Sequence, residues 1–230
     1  MKDTFTFKQF NINQDRCAMK VGTDGVLLGC WAEGGKQILD VGTGTGLIAL
    51  IMAQRFADAT IDAIDIDRDA CIQAEENKSN SKFTSRISIF NTDLQSFHPD
   101  TRYDAMVCNP PFFIHSLKSP DHKRNMARHT DTLSPRDLFK HAYRLLTEEG
   151  VLSLIIPTEQ AEEFIAESFI VGFFTRAKLK IRTTANKPAK RILLSFGKKQ
   201  EDCYIDMEET LFDNQEKTYW YQELTREFYL

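Results

Sequence analysis

The chain has 230 residues, 42% of them hydrophobic and 27% charged, enough apolar material to bury a full core in a globular fold. A formal net charge of -4 argues against nucleic-acid binding over the whole surface, because phosphate affinity comes from clustered Lys and Arg, and leaves room only for a local basic face. No run reaches the roughly 18 apolar residues of a membrane helix, the N-terminus lacks a signal-like apolar stretch, and five scattered cysteines without C-x-x-C spacing suggest neither disulfides nor a zinc site; a cytoplasmic protein with no membrane or metal partner is expected.

Residues 1–37 are expected to form a cap segment on a core spanning 38–230, the two together making one domain, with Gly22-Thr23-Asp24-Gly25 as a turn before an apolar helix. Ile38 to Val41 reads as a first buried strand and Leu47 to Arg55 as the helix after it. A second strand at Ile61 to Ile64 precedes a helix from Arg68 to about Asn80, and Ile87 to Phe90 and Tyr103 to Cys108 read as the third and fourth strands. Ser134-Pro135-Arg136-Asp137 offers an N-cap, a proline at the first helical position and an acid in the first turn, so a helix should run to Leu146 and stop at Gly150.

Val151 to Ile156 is a fifth strand ended by Pro157, followed by a helix from Thr158 to Ile170. Lys178 to Thr183 alternates charged with apolar residues, and Arg191 to Phe196 answers it across a loop, as an antiparallel hairpin at one sheet edge. The last thirty or so residues suit an edge strand and a packing helix. Strands alternating with helices give an α/β fold built on a mostly parallel sheet with helices on both faces.

The turn Asp40-Val41-Gly42-Thr43-Gly44-Thr45-Gly46 lies between a strand and a helix, where backbone N–H groups meet ligands at the carboxyl edge of a sheet. Its G-x-G-x-G spacing, with Leu47 where a dinucleotide fingerprint wants Gly or Ala, counts against NAD. Asp65 and Asp93 end the next two strands, positions from which carboxylates can hold ribose hydroxyls and an adenine amine; taken singly, such aspartates are as readily loop residues capping nearby N–H groups. Together these residues resemble the first three motifs of the class I methyltransferases. The resemblance implies S-adenosylmethionine as cofactor, with Asp40 orienting its amino-acid portion, Gly42 and Gly44 lining it, Asp65 on the ribose and Asp93 on the adenine. Thr43, Gly46, Ile66, Leu94 and Asn109 complete the expected cofactor set. It also implies a Rossmann-like fold with a mostly parallel seven-stranded sheet and an antiparallel edge hairpin.

Asn109-Pro110-Pro111-Phe112 follows the fourth strand, and paired prolines make a stiff turn. An exocyclic amine conjugated to a purine ring is a poor nucleophile. The Asn109 side-chain oxygen and the Pro110 carbonyl can each accept one of its N–H bonds and line up its lone pair, while Phe112 offers a stacking face. Asn-Pro-Pro also occurs in ordinary turns, but its position here, after the strand that follows the adenine-binding acid, favours chemistry. The pattern resembles motif IV of the amino-methyltransferases and marks Asn109, Pro110, Pro111 and Phe112 as catalytic.

The stretch from Phe113 to His129 is basic and His-rich without apolar period, and reads as a loop. His115, Lys118, Lys123, Arg124 and Arg128 within it, with Lys190 and Arg191 beyond, suit a polyanion whose base is presented to the pocket, although a solvated loop is the plainer reading. Arg176, Lys178, Lys180, Arg182 and Lys187 add charge around the hairpin, and alternating Lys equally defends an edge strand. The histidines lack the spacing of metal ligands.

The Phe5-to-Phe10 and Gln14-to-Gly29 segments, Asn186-Lys187-Pro188-Ala189-Lys190-Arg191 and the terminal Phe228-Tyr229-Leu230 extend the likeness over almost the whole chain. It resembles the bacterial tRNA(Val) adenine-37 N6-methyltransferase family. That implies methyl transfer to N6 of the adenine beside the anticodon, tRNA as partner, and Lys20 and Thr23 over the cofactor; a monomer is expected. Rival readings are a ribosomal-RNA guanine-N2 methyltransferase, a protein glutamine-N5 methyltransferase, which would carry Tyr in place of Phe112 and a helical domain before the first strand, and a non-catalytic S-adenosylmethionine-binding RNA chaperone with a degraded Asn-Pro-Pro corner.

Overall fold

A computed structural model describes residues 4–17, 20–110, 133–202 and 204–230. The N-terminal segment forms a short hairpin, β1 (Thr4–Thr6) and β2 (Asn11–Asn13), and then helix α1 (Thr23–Trp31). β3 (Gln37–Val41), α2 (Leu47–Arg55), β4 (Thr60–Asp65), α3 (Arg68–Ser79), β5 (Ile87–Asn91) and β6 (Tyr103–Cys108) follow. Beyond them come α4 (Pro135–Leu145), β7 (Leu146–Pro157), α5 (Ala161–Val171), β8 (Phe174–Thr184), β9 (Arg191–Gly197), β10 (Ile205–Asp213), β11 (Glu216–Lys217) and α6 (Tyr219–Thr225).

Among the described residues the large sheet has the order β11-β10-β8-β9-β7-β6-β3-β4-β5. β9 pairs antiparallel with both β7 and β8, and β11 antiparallel with β10; the other pairings are parallel. The expected seven-stranded Rossmann-like sheet is therefore present as β5-β4-β3-β6-β7-β9-β8, extended by two more strands.

Alternation along the central strands feeds two cores, one on each face. Ile38, Ala105 and Val107 pack with α1 and α2, whereas Leu39, Val41, Met106 and Cys108 pack with Leu138 and Phe139 of α4 and Phe164 of α5. α1 is apolar nearly all round and buries Gly25 to Cys30, because it is covered by α2, α6 and the sheet. α4 starts as its sequence signals: Ser134 Oγ accepts from the Asp137 N–H at 3.1 Å, with a proline in the first turn.

Two expectations are corrected. Gly150 does not stop α4; the helix ends at Leu145 and the chain passes directly into β7, within which Gly150 sits. Glycine belongs there because a Cβ would lie 2.9 Å from both Leu146 Cδ2 and the Tyr103 carbonyl oxygen, opposite a register shift between Tyr103 and Ala105. The β8–β9 hairpin is not an edge either, since β10 adds to β8 in parallel. Asp206 stands opposite Lys178 and Glu208 opposite Lys180; Arg182 lies 2.5 Å from Glu208, and Arg176 lies 2.6 Å from Glu201 and 3.2 Å from Glu33. The cations of β8 are thus answered by acids, and the C-terminal residues supply the strand and the helix α6 packed against β10.

Candidate active site

At the carboxyl edge of β3 the chain turns through Gly42 (φ +71°), Gly44 (φ +56°) and Gly46 (φ +80°) into α2. The Gly42 and Thr43 N–H groups donate to the Ile64 carbonyl at 2.9 and 3.0 Å, so the turn leans on the end of β4. Asp40 holds the turn from beneath. It is 0% exposed, and its Oδ2 accepts from the Thr43 hydroxyl at 2.7 Å and the Ala49 N–H at 3.1 Å, while Oδ1 is buried with no partner. Burial pushes its carboxyl up to about 7, against the opposing pull of the Thr43 and Ala49 hydrogen bonds.

Asp65 joins β4 to the same turn. Its Oδ2 accepts from the Gly44 N–H at 2.8 Å and its Oδ1 from the Asp67 N–H at 2.9 Å, which fixes the carboxylate plane and leaves lone pairs on both oxygens. Asp93, beyond β5, accepts from the Ser96 N–H at 2.6 Å; this backbone hydrogen bond holds its carboxyl below the usual range. Both aspartates cap local N–H groups and also line the open space beside the turn.

The opposite wall is the N-terminal strap, stitched to α3. Buried Asn77 accepts from the Asn13 N–H and donates to the Asn13 and Thr45 carbonyls, at 2.8, 2.8 and 2.9 Å. Gln73 accepts from the Arg16 N–H at 3.0 Å, and the Val21 N–H donates to Gln14 at 2.7 Å. One face of α3 therefore holds the strap against the glycine turn, and the strap brings Lys20, Thr23 and Asp24 to the wall.

The result is a cavity of about 830 Å³, within the range of small-molecule and cofactor sites. It collects most of the expected cofactor residues, Lys20, Thr23, Gly42, Thr43, Gly44, Asp65, Ile66, Asp93, Leu94 and Asn109, together with Pro110 of the corner. Asp40 and Gly46 are not on its wall; a Cβ on Gly46 would instead meet Ala74 at 3.3 Å. Their place in the structure is the frame of the turn.

Asn109 follows β6 directly, and its Oδ1 is buried without a partner. An amide oxygen left so costs about 1–3 kcal/mol relative to a bonded one, and a donor N–H brought to it would recover that. Pro111, Phe112, His115, Lys118, Lys123, Arg124 and Arg128 lie outside the described residues.

Lys190 and Arg191 are off the cavity wall, at the β8–β9 loop. Arg191 pairs with Pro157, the last residue of β7, so this loop stands at the same sheet edge as Asn109. Arg191 Nε donates to Asp24 Oδ2 at 2.7 Å. Asp24, Cys17 and Cys108 are cavity residues that the sequence reading did not assign. Asp24 lies inside the Gln14-to-Gly29 segment and was legible there only as a turn residue. Among the described residues the charged side chains on the wall are Asp24, Asp65, Asp67 and Asp93 against Lys20, a balance that favours a ligand carrying positive charge.

The model of the methyltransferase small domain family matches residues 21–182. A tRNA1(Val) (adenine(37)-N6)-methyltransferase of Parabacteroides distasonis is 50% identical over 197 residues, 84% of this chain and 83% of the relative. Its counterpart in Phocaeicola vulgatus is 46% identical over 228 residues, 98% of this chain and 97% of the relative. Among solved structures, a predicted O-methyltransferase from Agrobacterium tumefaciens superimposes with a TM-score of 0.68 at 18% identity, covering 89% of this chain and 96% of that one, a likeness of fold.

Proposed function

Because the chain belongs to the methyltransferase small domain family and, within it, to the tRNA1(Val) (adenine(37)-N6)-methyltransferases, we propose that it methylates N6 of adenine 37 in tRNA(Val), with S-adenosylmethionine as methyl donor. The observation that carries the chemistry is Asn109 on the cavity wall with its buried Oδ1 left unpartnered.

The residues present fit the cofactor. No atom lies within 4 Å of where a Cβ would stand on Gly42, so the turn leaves its ligand side open. Gly42, Thr43 and Gly44 line its length, Asp65 takes the ribose hydroxyls with its spare lone pairs, Asp93 and Leu94 hold the adenine, and Ile66, Lys20 and Thr23 close the wall. When bound, the cofactor supplies a methyl group activated by its sulfonium.

Asn109 Oδ1 and the Pro110 carbonyl accept the two N–H bonds of the target amine, concentrating the nitrogen lone pair away from the ring and fixing its direction. Such acceptors need no tuned general base. Phe112 stacks on the extruded base, and Pro111 stiffens the corner between them. Lys187 and Lys190 on the hairpin loop, with Lys118, Lys123, Arg124, Arg128 and His115, contact the tRNA backbone, a local basic face on an otherwise acidic protein. Among the described residues no helix is long and apolar enough to cross a membrane.

The test is incubation with labelled cofactor and total RNA from cells lacking the protein, followed by mapping of the modified nucleoside. N6-methyladenosine at position 37 of tRNA(Val) is the expected product; label in guanine N2 of ribosomal RNA, or in protein glutamine, would replace this reading with one of its rivals.

A further inference from the structure

We propose that Asp24 is the carboxylate that receives the ammonium group of the cofactor's amino-acid portion, and that Arg191 positions it. The inference rests on the S-adenosylmethionine reading above and assigns one end of that site.

The residue expected to orient the amino-acid portion from the sequence, Asp40, is fully buried, is absent from the cavity wall, and spends one oxygen on Thr43 and Ala49. A carboxylate that lies on the cavity wall itself is better placed to meet the ammonium. The sheet order settles where. Asp93 follows β5, Asp65 ends β4, the glycine turn follows β3 and Asn109 follows β6, so these groups lie in that succession along one edge. Asp24 is anchored to Arg191 at the start of β9, beyond β6 and β7, at the end away from Asp93. A Cβ on its neighbour Gly25 would lie 3.1 Å from Leu47 Cδ2, which seats this end of α1 against the start of α2. With adenosine held at Asp65 and Asp93, the amino-acid end points toward Asp24.

The local chemistry agrees. The Asp24 side chain is 23% exposed, dry enough for a charge-assisted hydrogen bond to outlast screening and open enough to admit a ligand. One hydrogen bond from Arg191 Nε leaves the carboxylate acceptor capacity and locks its rotamer. Because Arg191 belongs to the hairpin whose loop carries Lys187 and Lys190, the pair also ties the tRNA-facing loop to the cofactor wall.

The test is calorimetric binding of S-adenosylhomocysteine and of 5′-methylthioadenosine, which shares the adenosine but has no amino-acid portion, to the full chain and to Asp24→Asn. The variant is expected to bind S-adenosylhomocysteine about 10- to 100-fold more weakly, with 5′-methylthioadenosine unchanged within about twofold. Arg191→Gln is expected to give the same pattern in smaller measure. Equal loss for both ligands would mean a purely structural role, and an unchanged S-adenosylhomocysteine affinity would mean no ammonium contact; either overturns the assignment while leaving the cofactor reading intact. Failure of the unsubstituted protein to bind S-adenosylhomocysteine would overturn both.

Discussion

The Gly44 N–H donates to Asp65 Oδ2 at 2.8 Å, so the carboxylate that faces the cavity from β4 also pins the glycine turn that follows β3. Replacing Asp65 with Ala removes the proposed ribose contact and the clamp together. The expected result is S-adenosylhomocysteine affinity lowered by about 100-fold, while Asp65→Asn, which still accepts from Gly44, loses less. Calorimetry checks this, and equal affinities in the parent and Asp65→Ala proteins would remove the assignment.

Asp40 gives a pH signature. Its folded-state carboxyl titrates at about 7 because it is buried, whereas an unfolded Asp titrates near pH 4. Between those values the folded state binds the extra proton. Its contribution to stability is therefore fully present below about pH 4 and is lost as pH rises through about 7. Thermal unfolding from pH 5 to 8 should show a falling Tm, and Asp40→Asn, lower at the outset because it buries an amide N–H without an acceptor, should fall less steeply. Parallel slopes would contradict the burial argument.

Asn77 makes a purely structural prediction. Its side chain bridges Asn13 and Thr45 through three hydrogen bonds inside the protein, so Asn77→Leu leaves several backbone groups unpaired and should cost about 2–4 kcal/mol. Urea unfolding measures it; a loss under about 0.5 kcal/mol, within the range of ordinary surface changes, would mean that the strap is held by other contacts.

The two sets of basic residues near the hairpin should behave differently toward tRNA. Replacing Lys187 and Lys190 with Gln should weaken binding and reduce the slope of log affinity against log salt by about 1.5, two phosphate contacts' worth. Replacing Lys178 and Lys180, which stand opposite Asp206 and Glu208, should leave the slope unchanged. Filter binding across a salt series distinguishes them, and the opposite ranking would place the RNA on the sheet rather than at its edge.

The contrast shows what kind of information the chain carries. β3 and β6 are buried on both faces, so their mostly apolar runs, around Asp40 and Asp104, identify them, and Tyr103–Cys108 coincides with its expected bounds. Gly150 misleads because a glycine after a helix is the same letter whether it ends the helix or relieves crowding against Tyr103 and Leu146. β10 is exposed over Ile205 to Glu208 and is joined to β8 partly by charge, so it lacks the apolar alternation that announces a strand. For a related reason the sequence does not separate Asp40 from Asp24. Both are acids within two residues of a glycine, and only the three-dimensional packing separates the one sealed under the turn from the one on the cavity wall.

The most direct test of the account is single-turnover methylation of tRNA(Val) by the parent protein and by Asn109→Ala, with S-adenosylhomocysteine affinity measured in parallel. Loss of one of the two acceptors should slow the chemical step by about 10²- to 10³-fold, with cofactor affinity within a few-fold of the parent. Methyl transfer to adenine 37 at the parental rate in Asn109→Ala would contradict the central claim.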